Sequence, residues 1–324
     1  VWGTPVTVNK FLEADDESLK WEPTFIEPTG LRVGTKYKRA SRLVLSRQSV
    51  SGGFSTQFAT RTMGTLLKAA LGSTVVTPTL VTGTAYKQVH NPGDFLGKSL
   101  TIQVGRPEPG GTVRPHTYEG CKITGWEFSV SDNDTAKFSV EVDGQTELTA
   151  TALATAAYVS SEVFKFADFT TFKLGGTVSG VTELSVAGGT TVTPIVRSFT
   201  LKGEAPMHTE RFGLGNAGLK AEQLENDIPT ISGSFEAEWD RTTFYDAYKA
   251  GTTTAIELKG EGSIISGADK NTIHIIAAAA KIKSSAFNVS GPDVVTGTVD
   301  FEAYSDETNS PLMIKLISAD STSL

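Results

Sequence analysis

A gapless internal match constrains the fold of this chain more than any other feature. Cys121 to Gly144 lies over Ala280 to Ala303 at a constant offset of 280 − 121 = 159, and seven of the 24 positions are identical. The identities are Lys122/Lys281, Ile123/Ile282, Phe128/Phe287, Val130/Val289, Ser131/Ser290, Asp134/Asp293 and Val140/Val299. Unrelated sequences of ordinary composition would share roughly one or two. Both copies alternate apolar and polar residues, pass through a turn (Ser131 to Asp134; Ser290 to Asp293) and alternate again, which is the pattern of a β-hairpin.

A second block repeats without a gap. Ser51 to Ala69 matches Ser232 to Ala250 at 232 − 51 = 181. Phe235, Ala237 and Trp239 fall on one strand face, and Asp240 is then placed to cap a helix whose Phe244, Ala247 and Tyr248 share an apolar side. Met63, Leu66, Leu67 and Ala70 make the equivalent stripe in the first copy, with Gly72 and Gly251 as helix stops. Upstream, Ser18 to Trp21 matches Ser198 to Leu201; downstream, Leu100 to Val104 matches Ala255 to Leu258. The repeated unit reads strand, loop, strand, helix, strand, hairpin. The expected division is a first unit over 1–147 and, over 148–324, a linker plus the second unit. The Ala/Thr tract at 151–157 reads as linker, and the strand-like stretch from Val163 to Leu174 as leading structure of the second unit.

The polar faces of these strands carry acids. With Phe138, Val140 and Val142 turned to a core, Lys137, Ser139, Glu141 and Asp143 point away. With Val299 and Phe301 turned in, Thr298, Asp300 and Glu302 point away, and Glu127, Glu236, Glu238 and Glu257 are expected on similar faces of neighbouring strands. Ile123 is out of phase with Phe128 and Val130, so a bulge or bend is expected near Gly125.

Composition narrows the classes of function. A net charge of −7 argues against a nucleic-acid clamp, which needs a basic groove to displace counterions. A lone cysteine, Cys121, excludes an intrachain disulfide and reads as a small buried apolar residue. His90, His116, His208 and His274 are scattered, none at metal-ligand spacing with another His or Cys. The run Gly213-Leu-Gly215-Asn-Ala-Gly218 formally matches a dinucleotide fingerprint and is followed by helix-compatible residues, but the preceding Pro206 to Phe212 is not the apolar strand such a site needs. Gly215 falls on Gly34 in the repeat frame, so an ordinary loop is expected. No catalytic or cofactor-binding set is visible. No apolar run is long enough to span a bilayer, and the first residues lack a basic stretch leading into an apolar one, which leads us to expect assembly in the cytosol.

Trp2 to Glu13, Ser99 to Val130 and Thr146 to Tyr158 resemble the tail tube, or major tail, proteins of long-tailed phages with non-contractile tails. The resemblance implies a mainly β chain of tandem sandwich or barrel units, each with a flanking helix, and a structural virion protein rather than an enzyme. It implies stacked rings in which each unit gives about four strands to a continuous inner barrel. It also implies an acidic lumen through which DNA passes without specific contact. The acids above, Glu127, Glu141, Asp143, Glu236, Glu238, Glu257, Asp300 and Glu302, are then the expected lumen residues. Implied partners are further copies of the chain and other tail proteins such as the tape measure, tail terminator and distal tail proteins, with no membrane and no cofactor. The expected location is the virion tail, assembled in the host bacterial cytoplasm.

With two units per chain, six unit positions need 6/2 = 3 chains; a ring of six chains is the alternative. Strands about 4.8 Å apart and tilted near 45° make a 24-stranded barrel roughly 50 Å across, with a bore of about 40 Å. Three chains carry 3 × (−7) = −21 charges. Two other classes stay open on the residues alone: a virion-decorating or cell-surface adhesin of tandem β-sandwiches, and a β-rich enzyme such as a polysaccharide lyase or hydrolase.

Overall fold

The computed structural model describes residues 2–30, 32–34, 36–289, 291–292 and 294–322. Ser290 and Asp293, and with them part of the second expected turn, lie outside the described residues. The first part of the chain forms β1 (Ala14–Glu17), β2 (Lys20–Ile26), β3 (Val44–Gln57), α1 (Met63–Leu71), β4 (Gly72–Thr82), β5 (Ala85–Pro92), β6 (Leu100–Pro107), β7 (Val113–Ser131), β8 (Lys137–Gly144) and β9 (Thr146–Leu148). Short strands come next, β10 (Phe169–Leu174), β11 (Thr177–Ser179), β12 (Ser185–Ala187) and β13 (Thr190–Thr191). The last part forms β14 (Val196–Glu204), β15 (Met207–His208), β16 (Leu224–Glu225), β17 (Thr230–Glu238), α2 (Asp246–Ala250), β18 (Thr253–Ser266), β19 (Asp269–Phe287), β20 (Thr296–Tyr304) and β21 (Leu312–Ser318). The chain is mainly β, and one large antiparallel sheet dominates it.

Eight strands form a continuous ribbon in the order β2-β3-β8-β7-β14-β17-β20-β19, every neighbour antiparallel. One ribbon face is apolar because its strands alternate: Phe138, Val140, Phe199, Leu201, Phe235, Val299 and Phe301 are all buried. Over that face lie the first half of β7 with β6 and β9, and a second layer of β10, β18, the first half of β19, β21, β5 and β4. β7 and β19 serve both layers. β7 shifts register at the expected place, between Ile123 and Gly125, and β19 shifts at the corresponding place, between Ile282 and Ser284. An inserted residue bends the strand there and lets its two ends join different layers.

Pairing in the two halves follows the sequence offsets. Ser51 faces Asp143 and Ser232 faces Glu302; Lys122 faces Asp143 and Lys281 faces Glu302. These differ by 181 and 159, as read from the sequence. The match of Ser18 to Trp21 is corrected. Lys20 faces Ser51 as Lys202 faces Ser232, so Leu19 corresponds to Leu201, at 201 − 19 = 182. A slip of two keeps every side chain on its face, so alternation alone does not detect it.

The helices depart from each other. Met63, Leu66, Leu67 and Ala70 of α1 are buried as expected. In the second half the Asp240 carboxylate accepts the Thr243 N–H at 2.9 Å, but a π-type turn over Arg241–Tyr245 precedes α2. That wider turn rotates α2 about its axis: Phe244 is fully buried while Tyr248 is 42% exposed, so Tyr248 is not on the core side. Both helices stop at left-handed glycines, Gly72 and Gly251. The stretch from Val163 becomes strand only at Phe169.

The β4–β5 hairpin belongs to the first half in sequence but pairs with β21 of the second, His90 facing Ile314. His90 is fully buried, its Nδ1 3.0 Å from Thr74 Oγ1, and burial pushes its imidazole down to about 4. Below pH 6.5 the unfolded chain takes up a proton at this position that the native chain refuses until about pH 4, so stability falls as pH drops through that window. The loss is about 3 kcal/mol at 1.36 kcal/mol per unit. Urea unfolding at a series of pH values should show this slope, and His90→Asn should flatten it.

Candidate functional site

The outward face of the ribbon is polar, because residues alternating with the core positions must point away from it. Glu127, Glu141, Asp143, Glu236, Glu238, Asp300 and Glu302 all alternate with buried neighbours on these strands. Their surroundings differ. Glu127 pairs with Lys202 at 2.8 Å across the β7–β14 joint, and Glu238 lies 4.0 Å from Arg197. Glu302 receives the Tyr304 O–H at 2.7 Å and lies 3.0 Å from Lys283; the two hold its carboxyl below the usual range. Asp300 accepts the Ser284 hydroxyl at 2.5 Å. Glu141 and Glu236 have no ion pair among the described residues.

Glu257 does not belong with them. It lies on β18, which pairs with β19 and β10 and is not a ribbon neighbour of β17. Its carboxylate is 8% exposed, 2.8 Å from His274 Nε2 and 3.7 Å from Lys173. Strand adjacency in sequence was the wrong guide, since β18 comes after β17 in the chain but crosses to the other layer.

Sequence reasoning missed the cover over Asp143. Residues 205–229, which connect β14 to β17 and contain the Gly213 to Gly218 run, fold back across the polar face of the first half. Lys220 Nζ contacts both Asp143 oxygens at 2.6 and 2.7 Å, and Gln223 donates to Oδ2 at 2.7 Å. Lys122 donates to Glu222 at 2.7 Å and to the Gln223 carbonyl at 2.8 Å. The Gln48 N–H donates to the Gly218 carbonyl at 3.0 Å. A Cβ at Gly218 would lie 2.7 Å from the Ser46 carbonyl oxygen, so this glycine serves close backbone approach, not phosphate binding, and no helix comes after it. The Lys220 and Lys122 side chains are each 2% exposed. Lys122 lies on strand β7 and Lys220 in a polar connection, and neither context marks a lysine for burial, since most lysines are solvated.

The ribbon ends on two edges. β2 pairs with β3 alone, and β19 beyond its bulge pairs with β20 alone. The edge polar groups of Leu19 are satisfied by side chains: its N–H donates to Glu17, and its carbonyl accepts from Tyr118 and Arg106. Such plugging blunts an edge that would otherwise pair promiscuously.

Cys121 is buried, its thiol pushed up to about 12 by desolvation, and His116 pairs with Glu147 at 2.7 Å. Among the described residues no group of three or more His, Cys, Asp or Glu could hold a metal ion, and no helix is long and apolar enough to cross a membrane.

No curated protein matches the chain significantly. A family model described as phage tail tube protein matches residues 18–303, a span that begins just before β2 and ends in β20. The chain therefore belongs to the phage tail tube protein family, structural components of the virion tail.

Proposed function

We propose that the chain comprises two tube units, 1–147 and 148–324, and that three chains close into a ring of six unit positions. The eight-stranded ribbon, open along β2 on one side and along the end of β19 on the other, carries this reading. Its strands alternate in direction, so β19 of one chain and β2 of the next run antiparallel, and three ribbons make 3 × 8 = 24 strands. With strands about 4.8 Å apart and tilted near 45°, the barrel has a bore of about 40 Å, wide enough for a duplex about 20 Å across.

Glu127, Glu141, Glu236, Glu238, Asp300 and Glu302 face this lumen in the proposed ring, with Asp143 roofed by residues 205–229. Ion pairing sharpens the idea of a non-adhesive wall. Lys202, Lys283 and Lys20 each sit beside a carboxylate, Glu127, Glu302 and Glu22, which competes with phosphate for the cation. Glu141 and Glu236, without an ion pair among the described residues, repel phosphates within about a Debye length, ~8 Å. Rings stack into the tube in the host cytoplasm, where tape measure, tail terminator and distal tail proteins meet it, and genomic DNA later passes through.

Negative-stain imaging of the purified chain tests the proposal. Class averages down the tube axis should show three chains as six similar densities around a constant bore. Monodisperse monomers over a wide concentration range would defeat it.

A further inference from the structure

The contact between the two halves of one chain is visible in full, and the repeat offsets carry it onto the free edges. Phe128 faces Leu201, Trp126 faces Gly203 and Ser129 faces Thr200 in the β7–β14 joint. Adding 159 on β7 and subtracting 182 on β14 places Ser285 opposite Trp21 and Asn288 opposite Ser18 of another copy; Leu19, which falls opposite Phe287, keeps its own bonds to Glu17, Tyr118 and Arg106, so the ladder runs from Trp21 onward. Size is conserved with the partners exchanged. Trp126 packs where Gly203 leaves no Cβ, 2.4 Å from its ring, and in the transferred joint Trp21 meets the small Ser285. The Ser285 hydroxyl is buried without a hydrogen-bond partner among the described residues.

Loop 205–229 has its own counterpart, residues 27–43 between β2 and β3. At the loop offset Lys220 becomes Arg39 (220 − 181 = 39) and Gln223 becomes Arg42 (223 − 181 = 42), while Asp143 becomes Glu302 (143 + 159 = 302). We propose that residues 27–43 clasp the second half of a neighbouring copy, Arg39 and Arg42 closing on Glu302 while β2 pairs with β19 in the transferred register. This rests on the ring reading and adds which loop locks it, onto which acid; Glu302 is then roofed as Asp143 is, and the open lumen wall is left to Glu127, Glu141, Glu236, Glu238 and Asp300.

Three observations favour a second copy as the occupant. Residues 27–47 hold Arg32, Lys36, Lys38, Arg39, Arg42 and Arg47 against Glu27, a net +5, so the rest of the chain carries −7 − 5 = −12. Apolar residues at the β17 and β19 ends are bare where their counterparts are covered: Val289 is 77% exposed and Val130 4%, Trp239 51% and Phe58 0%. The described residues of the loop are themselves largely uncovered, with Leu43 54% exposed and Val33 fully so. One tie is not transferable. Gln48, whose N–H binds the Gly218 carbonyl, maps onto Pro229 (48 + 181 = 229), which has no N–H. The transferred clasp is consequently held by charged side chains and weakens with salt.

Two sets of variants test the joint. Arg39→Glu with Arg42→Glu, and separately Glu302→Lys, should each cut the assembled fraction by at least about tenfold, and combining all three should restore most of it. Ser18→Cys with Asn288→Cys places two thiols across a non-hydrogen-bonded pair, where Cα atoms about 4.5 Å apart suit a disulfide. Non-reducing gels should show a ladder ending at three linked chains, absent from either single variant. Circular dichroism and thermal melts of each variant separate lost joints from lost folding. Tubes that form normally with the charges reversed and no cross-linking would overturn the clasp and leave the ring intact. Failure of the unaltered chain to form rings would overturn both.

Discussion

Phe58→Ala is expected to cost about 3–5 kcal/mol of folding stability, measured by urea unfolding of unassembled chain, because it empties a fully closed site. Phe58 is wholly buried, with its ring 5.5 Å from Phe128, 6.0 Å from Phe138 and 6.1 Å from Phe164. These edge-on and tilted contacts join β7, β8 and the segment entering the second half. Backbone bonds clamp the same point: Phe58 N–H donates to Ala136, Ala136 N–H to Phe164, and Phe164 N–H to Phe58. At 58 + 181 = 239 the counterpart is Trp239, whose N–H donates to Val295 just as Phe58 donates to Ala136 (136 + 159 = 295). Yet Trp239 is half exposed, so Trp239→Ala should cost under about 1 kcal/mol in the unassembled chain. If a second copy covers it, the same truncation should lower the assembled fraction strongly. A Trp239→Ala chain that assembled like the unaltered one would remove Trp239 from the proposed interface.

That contrast shows what the sequence carried and what it did not. The hairpins, their offsets and the bulge near Gly125 were legible because each rests on local alternation, and alternation of period two is written directly in adjacent residues. The two-residue misplacement of β2 escaped because a slip of two is invisible to the same alternation. Glu257 was misplaced for a topological reason: its strand comes directly after β17 in sequence, but β18 pairs with β10 and β19 in the other layer, and no local pattern specifies which layer a strand enters. The pairing of β5 with β21, and the roof of residues 205–229 over Asp143, join segments more than 70 residues apart. Polar loop composition does not encode the surface on which a loop comes to rest.

Lys220→Ala should be the most damaging single change outside the apolar core, costing about 3–5 kcal/mol, because removing one member of a buried ion pair strands the other. The Lys220 ammonium is 2% exposed and Asp143 15%. With the lysine gone, Asp143 keeps the Gln223 amide at 2.7 Å but no neutralising charge. The disturbance spreads, since Gln145 donates to the Lys220 carbonyl at 2.9 Å and Trp2 Nε1 donates to Gln223 at 2.8 Å. Residues 205–229 should then lift from β8, and hydrogen exchange should report faster exchange at the Gln48 and Ala221 amides, both of which donate across the loop. A paired change to apolar residues, Lys220→Met with Asp143→Leu, should recover most of the loss, because it removes the desolvation cost together with the attraction. Arg39→Ala gives the opposing case. Arg39 lies on an uncovered loop, so stability of the unassembled chain should change by less than about 0.5 kcal/mol while ring formation falls. A large loss at Lys220 with none at Arg39, and the reverse order of effects on assembly, would result from one contact made within the chain and its repeat made between chains.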